Sequence, residues 1–515
     1  MDRKWWTLLV VCAGTFMLLL DLTIVVVALP DIQREFHAGF SDLQWTVSAY
    51  ALTLASLLLT TGALADRYGR RLLFSAGLVI FTAGSLACGL AQSPTMLVIS
   101  RAAQGVGGAT IFSTSLALLA GSFHGRERGV AFGVWGATTG VAVALGPILG
   151  GVITSGISWR GIFLVNVPIG IVATIATRTR VDESRASVAT PPDWSGFVLL
   201  TAGLVSLVYG FIRVSSHGWG DTGVLACLAG GCVLLVAFVL AEARSKHPMF
   251  DLGLLRTPTF VGGSIAAFTM NGSLFAMLLY LVLYLQDGLG FSASATGVRL
   301  LLITAGMFVA ATASGRLSSH VPVRWLIGPG LVLVGIGLAL MAGLKGTSAW
   351  THLIPGFLVA GIGAGMVNPP LASTAIGVVE PEQAGMASGV NSTFRQVGIA
   401  VATAALGTLF TSALRRSLEH GLAGVPALAG HASAIAAQVQ QGNFSAVLAT
   451  APPAQRARLE AAAHSAFASG LNELLLVTGA VALVGGIASL ALIRSRDFAH
   501  TRAAARVSRP AEASA

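Results

Sequence analysis

Residues 5–29 read WWTLLVVCAGTFMLLLDLTIVVVAL. Asp21 is the only charge in this run. About 20 mostly apolar residues span a bilayer as a helix, so the segment is expected to cross a membrane with a carboxyl group inside it. A charged side chain near the centre of such a helix costs about 2.5–3.5 kcal/mol on insertion scales. An acid kept in oil at that cost is expected to be used.

The rest of the chain has the same character. Of its 515 residues, 54% are hydrophobic and only 10% are charged, and the mean hydropathy is +0.79. Soluble domains carry about 25% charged residues, so the chain reads as an all-α polytopic membrane protein. The net charge of +10 does not point to nucleic acid. It follows from basic residues in short loops on one side of a membrane, where orientation demands them. The apolar run at the start exceeds the roughly 7–15 residues of a signal-peptide core, and it is read as a retained first span. Cys12, Cys88, Cys227 and Cys232 all lie in apolar runs with no CxxC spacing, so neither disulfide nor metal is expected.

A window of about 19 residues gives fourteen spans near 5–29, 43–65, 72–91, 94–120, 128–154, 160–178, 195–213, 222–243, 258–286, 293–314, 323–344, 350–378, 384–413 and 470–493. With the N-terminus inside, the inner segments and the tail hold about twice as many Lys and Arg as the outer ones. Both termini are therefore expected in the cytoplasm. Residues 179–194 are polar and read as a linker. Residues 414–469 form the one long loop, on the outside, and Arg456 to Leu471 has the periodicity of a helix lying on the outer surface. A faint repeat aligns Gly62–Arg71 with Gly315–Arg324, with Ser319 where the first copy has Asp66. Matched halves are common in secondary transporters, which bind substrate between them.

Arg101 lies about seven residues into the fourth span, about 10 Å deep, and Asp21 sits at a similar depth of about 12 Å from the same side. Equal depth allows an ion pair across a cavity. Burial raises a carboxyl pKa and a neighbouring guanidinium lowers it. Moving Arg101, or admitting water, would therefore switch the acid between holding and releasing a proton. Arg395, near the middle of the thirteenth span, can meet an anionic group or reach toward a membrane surface. Gly136, Gly140, Gly146, Pro147, Gly150 and Gly151 crowd the fifth span, and small residues with a proline suit a close, movable helix contact. No GxxxxGK[ST] phosphate loop and no metal spacing occur. No cofactor is expected, and the chain is not read as an enzyme.

These residues resemble the major facilitator superfamily and, within it, the fourteen-span drug:proton antiporters. The likeness covers almost the whole chain. Leu20-Asp21 to Pro30 resembles the family's acidic motif of the first span, with Val26 in place of the usual Asn. Gly62-Ala-Leu-Ala-Asp66-Arg67-Tyr-Gly69-Arg70-Arg71 is similar to the signature between spans two and three. Arg101-Ala-Ala-Gln104-Gly105 resembles the basic motif of span four, and Gly140 through Gly146-Pro147 to Gly150-Gly151 the antiporter motif of span five. Trp159 to Gly170 and Ala387 to Gln396 also match.

The resemblance implies the major facilitator fold: two six-helix bundles with two inserted helices. The expected divisions are 1–178, the linker 179–194, the inserted pair 195–257, the second bundle 258–495 and a cytoplasmic tail 496–515. It implies that Asp21 takes up protons and that Arg101 tunes it. It also implies that Asp66 clasps the start of span thirteen, with Arg67, Gly69, Arg70 and Glu127 in the same switch. A carboxylate at a helix N-terminus gains about 0.3–1 kcal/mol. Trp45, Tyr50, Phe268, Asn271, Asn368, Asn391 and Arg395 are placed to line a substrate cavity.

The expected activity is export of lipophilic or amphiphilic compounds in exchange for protons, by a monomer in a bacterial cell membrane. The partners are protons, a small substrate and the bilayer. Export of a self-made metabolite or lipid, nutrient import and a membrane sensor without transport are the alternatives.

Overall fold

A computed structural model describes residues 2–123, 125–185, 191–246, 248–318, 320–379, 384–422, 435 and 456–498. Fourteen helices among them are long and apolar enough to cross a membrane. We label them α1 (Arg3–Phe36), α2 (Phe40–Tyr68), α3 (Arg70–Gly89), α4 (Pro94–Ser122), α5 (Gly125–Gly156) and α6 (Gly161–Arg180). They continue as α7 (Trp194–His217), α8 (Thr222–Arg244), α9 (Pro258–Gly288), α10 (Ala293–Leu317) and α11 (Arg324–Met341). The last three are α12 (Ile354–Ile376), α13 (Ala384–Leu422) and α14 (Arg456–Leu492).

Local chemistry sets the ends. His37 turns left-handed (φ 48°) to close α1. Ser93 accepts from the Met96 amide at 3.2 Å and precedes Pro94, which has no N–H to leave unsatisfied in the first turn of α4. Asp193, Asp221 and Ser292 cap α7, α8 and α10 with their side chains.

The helices form two six-helix bundles and an inserted pair. In the first bundle α1 packs on α4, α5 and α6, and α4 on α2 and α3. In the second, α12 packs on α10 and α11, and α14 on α9, α11 and α13. The bundles meet where α5 crosses α10 and α2 crosses α13, while α7 leans on α13 and α2 and pairs with α8. Helix α1 is apolar on every side and mostly buried, as suits a helix enclosed by others.

Two ends of the molecule can be distinguished. The terminal face carries Arg3, Tyr68 and Arg244; the far face carries Phe36 and Phe40. Toward the far face, hydrogen bonds tie the bundles together. Gln44 donates to the Thr403 carbonyl (2.8 Å), Gln286 to the Val27 carbonyl (2.8 Å), and the Ser294 amide to Ser155 Oγ (2.9 Å). Toward the terminal face, positions 133, 136 and 140 of α5 have open space around them.

The surface helix expected from Arg456 is instead the first part of α14, which runs unbroken to Leu492. Its apolar stripe of Leu459, Ala463 and Phe467 is buried. That stripe faces the extension of α13, where Leu414, Leu418 and Leu422 are buried too. Phe410 and Phe467 meet edge to face at 5.0 Å, and Arg416 pairs with Glu473 at 2.8 Å. A neighbouring helix, not the lipid surface, takes the apolar face. Ser319, residues 423–434 and 436–455 of the long loop, and the tail beyond Phe498 lie outside the described residues.

Candidate functional site

Asp21 is fully buried within the first bundle, and so is Arg101. The two form an ion pair through Arg101 Nη1 and Asp21 Oδ2. The expected pairing is present, but it does not cross a cavity. The charges touch directly, between α1 and α4, in packed protein.

Helix register explains the contact. Arg101 and Gln104 stand three residues apart on α4, so they share a face. Small residues then let the neighbouring backbones close in. A Cβ on Gly105 would lie 2.7 Å from the Tyr50 carbonyl of α2. One on Gly107 would strike the backbone of Phe81 on α3.

Both carboxylate oxygens are occupied. Besides the guanidinium, Gln104 Nε2 donates to Asp21 Oδ1 at 2.8 Å and Asn166 Nδ2 at 3.4 Å. Gln104 also donates to Ser85 Oγ (2.8 Å), which fixes its amide. Arg101 donates from Nη1 to Gln104 Oε1 (2.7 Å) and from Nε to the Thr46 carbonyl (3.2 Å). It lies over the Tyr50 ring at 4.3 Å. The cation therefore keeps two acceptors and an aromatic face whatever the state of Asp21. That matters because breaking a buried pair by removing one partner costs about 3–5 kcal/mol, and these contacts soften the loss.

The glycines of α5 fall into three environments. A Cβ on Gly146 would collide with the Thr23 hydroxyl, two residues from Asp21, and one on Gly150 would lie 2.8 Å from the Ile24 carbonyl. One on Gly151 would lie 2.6 Å from the Ala293 carbonyl of α10, and the Pro147 carbonyl fills the space beside Gly297 of α10. Gly140 has nothing within 4 Å. Thus the far half of α5 is wedged between α1, next to the acid, and α10 of the other bundle. An apolar gap lies at this junction, lined by Thr23, Val143, Pro147, Phe275, Thr304 and Met307 among others.

At the terminal face Arg70 grips Asp66 through Nε (2.9 Å) and Nη2 (2.8 Å). Glu127 does not join them; it pairs with Lys4 at 2.9 Å. Arg67 lies over the neighbouring Tyr68 ring at 5.6 Å. Residues 380–383, just before α13, where the expected clasp falls, lie outside the described residues. A partner that sequence reading overlooked is Glu183. It accepts from the Arg71 amide (2.9 Å) and the Leu72 amide (3.1 Å), capping α3. The Arg70 amide donates to the Ser184 carbonyl at 2.9 Å. Gly69 is required twice: its φ of 128° disfavours a side chain, and a Cβ there would lie 2.7 Å from the Glu183 carboxyl.

The expected cavity residues do not gather. Trp45 stacks toward Tyr209 of the inserted α7 at 6.2 Å. Tyr50 is buried under Arg101, its hydroxyl 3.3 Å from the Leu18 carbonyl. The Phe268 backbone is pressed against Gly398. Asn271 donates to the Ala267 carbonyl (2.8 Å) within a π-turn of α9, and Asn391 to the Gly263 carbonyl (3.4 Å). Only Arg395 and Asn368 come together, at 3.3 Å.

Comparison with known proteins matches this geometry to a family. The model of the major facilitator superfamily fits residues 11–403. The tetracenomycin C resistance and export protein of Streptomyces glaucescens is 33% identical, over 95% of this chain and 91% of its own length. The puromycin resistance protein of Streptomyces alboniger is 36% identical, over 81% of this chain and 84% of its own. Among solved structures, a bacterial homologue of the human lysosomal transporter Spinster, inward-facing and unoccupied, shares the fold. Its TM-score is 0.62 at 17% identity, covering 97% of this chain and 98% of that one. With a family model spanning most of the sequence and relatives aligned nearly end to end, the chain belongs to the major facilitator superfamily.

Proposed function

We propose that the protein exports lipophilic or amphiphilic compounds from a bacterial cell in exchange for protons, by alternating access between its two bundles. The observation that carries this reading is the buried Asp21, held by Arg101, Gln104 and Asn166 beside the helix junction that joins the bundles. Protonating Asp21 weakens its hold on Arg101. The adjoining Thr23–Gly146 contact offers a route by which that change reaches α5 and, through Gly151 and Pro147, α10.

The export direction rests on the relatives, two of which carry names of antibiotic resistance or export. With the termini in the cytoplasm, as the basic loops require, the tied far face is the outer one. The molecule is then closed outside, with α5 open toward the cytosol. The working division keeps the boundaries expected from the sequence, with Asp66 and Arg70 as the cytoplasmic latch.

The test is reconstitution into proteoliposomes with an imposed pH gradient and a panel of lipophilic compounds. A lumen-acid gradient should drive accumulation of at least one compound, and a protonophore should abolish it. Accumulation that follows ATP or sodium and ignores the pH gradient would overturn the reading.

A further inference from the structure

We propose that Arg395 anchors an anionic group of the transported compound, so that the preferred substrates are amphiphilic acids. The inference rests on the export reading above and gives it a substrate class.

Arg395 lies eleven residues into α13, which starts at Ala384. That places it about 16 Å along the helix, too deep for its side chain to reach the membrane surface. Its charge has no compensating carboxylate among the described residues. The ion pairs Arg415–Glu419 and Arg416–Glu473 of α13 and α14 both lie near the far face. The buried acid of the first bundle is already matched by Arg101. What Arg395 does have is the amide oxygen of Asn368, at 3.3 Å. A neutral carbonyl solvates a guanidinium but leaves its charge unbalanced, and a cation inside a membrane is ordinarily balanced by an anion.

The surroundings fit an amphiphile rather than a bare ion. Arg395 is half-buried, so part of its surface is accessible. Asn368 bridges it to the apolar gap: Asn368 Nδ2 lies 4.0 Å from Met307 Sδ, and Met307 lines that gap with Phe275 and Leu274. An acid head on Arg395 would leave its apolar body directed at a gap between the bundles. The turn that carries Asn368 is followed by Pro369 and Pro370, which remove two ladder donors. Ser314 Oγ takes up one freed carbonyl, that of Met366, at 2.8 Å. Asn368 thus stands where α12 lacks two backbone hydrogen bonds beside α10.

The experiment uses the full chain in lipid nanodiscs. Binding of pyrenebutyrate and of its neutral amide is followed by energy transfer from the protein's tryptophans, with two further acid–amide pairs on other aromatic skeletons. The wild type should bind the acids about tenfold or more tightly than the amides, since a close charge pair out of bulk water is worth that much or more. Arg395→Gln should bring the ratio to about one by weakening acid binding alone, and Arg395→Lys should keep part of it. No acid preference in the wild type across the three pairs, or a preference that survives Arg395→Gln, would overturn the proposal. Because binding is read without any gradient, failure of proton-driven transport in the same preparation would tell separately against the export reading.

Discussion

Gln104 donates to Asp21 at 2.8 Å while accepting from Arg101 at 2.7 Å. One amide thus touches both members of a buried ion pair. It gives the carboxylate a second donor and the guanidinium a second acceptor, so each charge keeps a partner when the other is lost. This suits an acid that must change protonation state without unfolding its surroundings.

The two sides of the pair should therefore differ in stability. Arg101→Ala leaves Asp21 buried with only amide donors and also empties the space over Tyr50. The expected loss is about 3–5 kcal/mol. Asp21→Asn keeps an isosteric group, and Arg101 retains Gln104, Thr46 and the Tyr50 ring. Thermal unfolding in detergent should give a distinctly lower Tm for Arg101→Ala than for Asp21→Asn. Equal or reversed Tm values would show that the extra partners of Arg101 do not matter.

The glycines of α5 should separate by environment. Gly146→Ala collides with Thr23 and should lower both stability and transport. Adding Thr23→Ala should recover a measurable part of each. Gly140→Ala meets open space and should stabilise the helix by about 0.5–1 kcal/mol, the usual gain over glycine. A double-mutant cycle of Gly146→Ala and Thr23→Ala without coupling would refute the contact.

Glu183 caps α3 from more than a hundred residues away in sequence: it follows α6, yet accepts from the Arg71 and Leu72 amides. Glu183→Ala should cost about 1 kcal/mol, typical of a lost cap. Amide exchange should rise in the first turn of α3 and not at its end. Uniform exchange along α3 would argue against the cap.

Asp66→Asn keeps the size of the side chain but removes the charge that holds Arg70 at 2.8 Å. Turnover in proteoliposomes should slow while substrate affinity changes little. A raised Kd at unchanged turnover would place Asp66 in binding instead.

Much of this was legible in the sequence, for identifiable reasons. A span needs a long apolar run, and a charge inside one stands out by its cost, so the fourteen helices and Asp21 with Arg101 could be read directly. The bonds of Gln104 and Asn166 to the acid, and of Ser85 to Gln104, could not, because neutral polar residues are ordinary in such helices and only packing shows which of them meet. Glu183 was hidden in a polar linker, where a carboxylate needs no explanation. The apolar stripe of 456–471 gave the right secondary structure and the wrong neighbour, since periodicity does not say whether a helix or a lipid surface covers it. The dispersal of Trp45, Tyr50, Asn271 and Asn391 has the same origin: depth in a span does not fix the direction a side chain takes.

The decisive comparison is gradient-driven accumulation by wild-type and Asp21→Asn protein in matched proteoliposomes, with substrate exchange measured in the absence of a gradient. If Asp21 carries the proton, the asparagine variant should still exchange substrate but should fail to concentrate it under a lumen-acid gradient. Accumulation at the wild-type rate by Asp21→Asn would contradict that role.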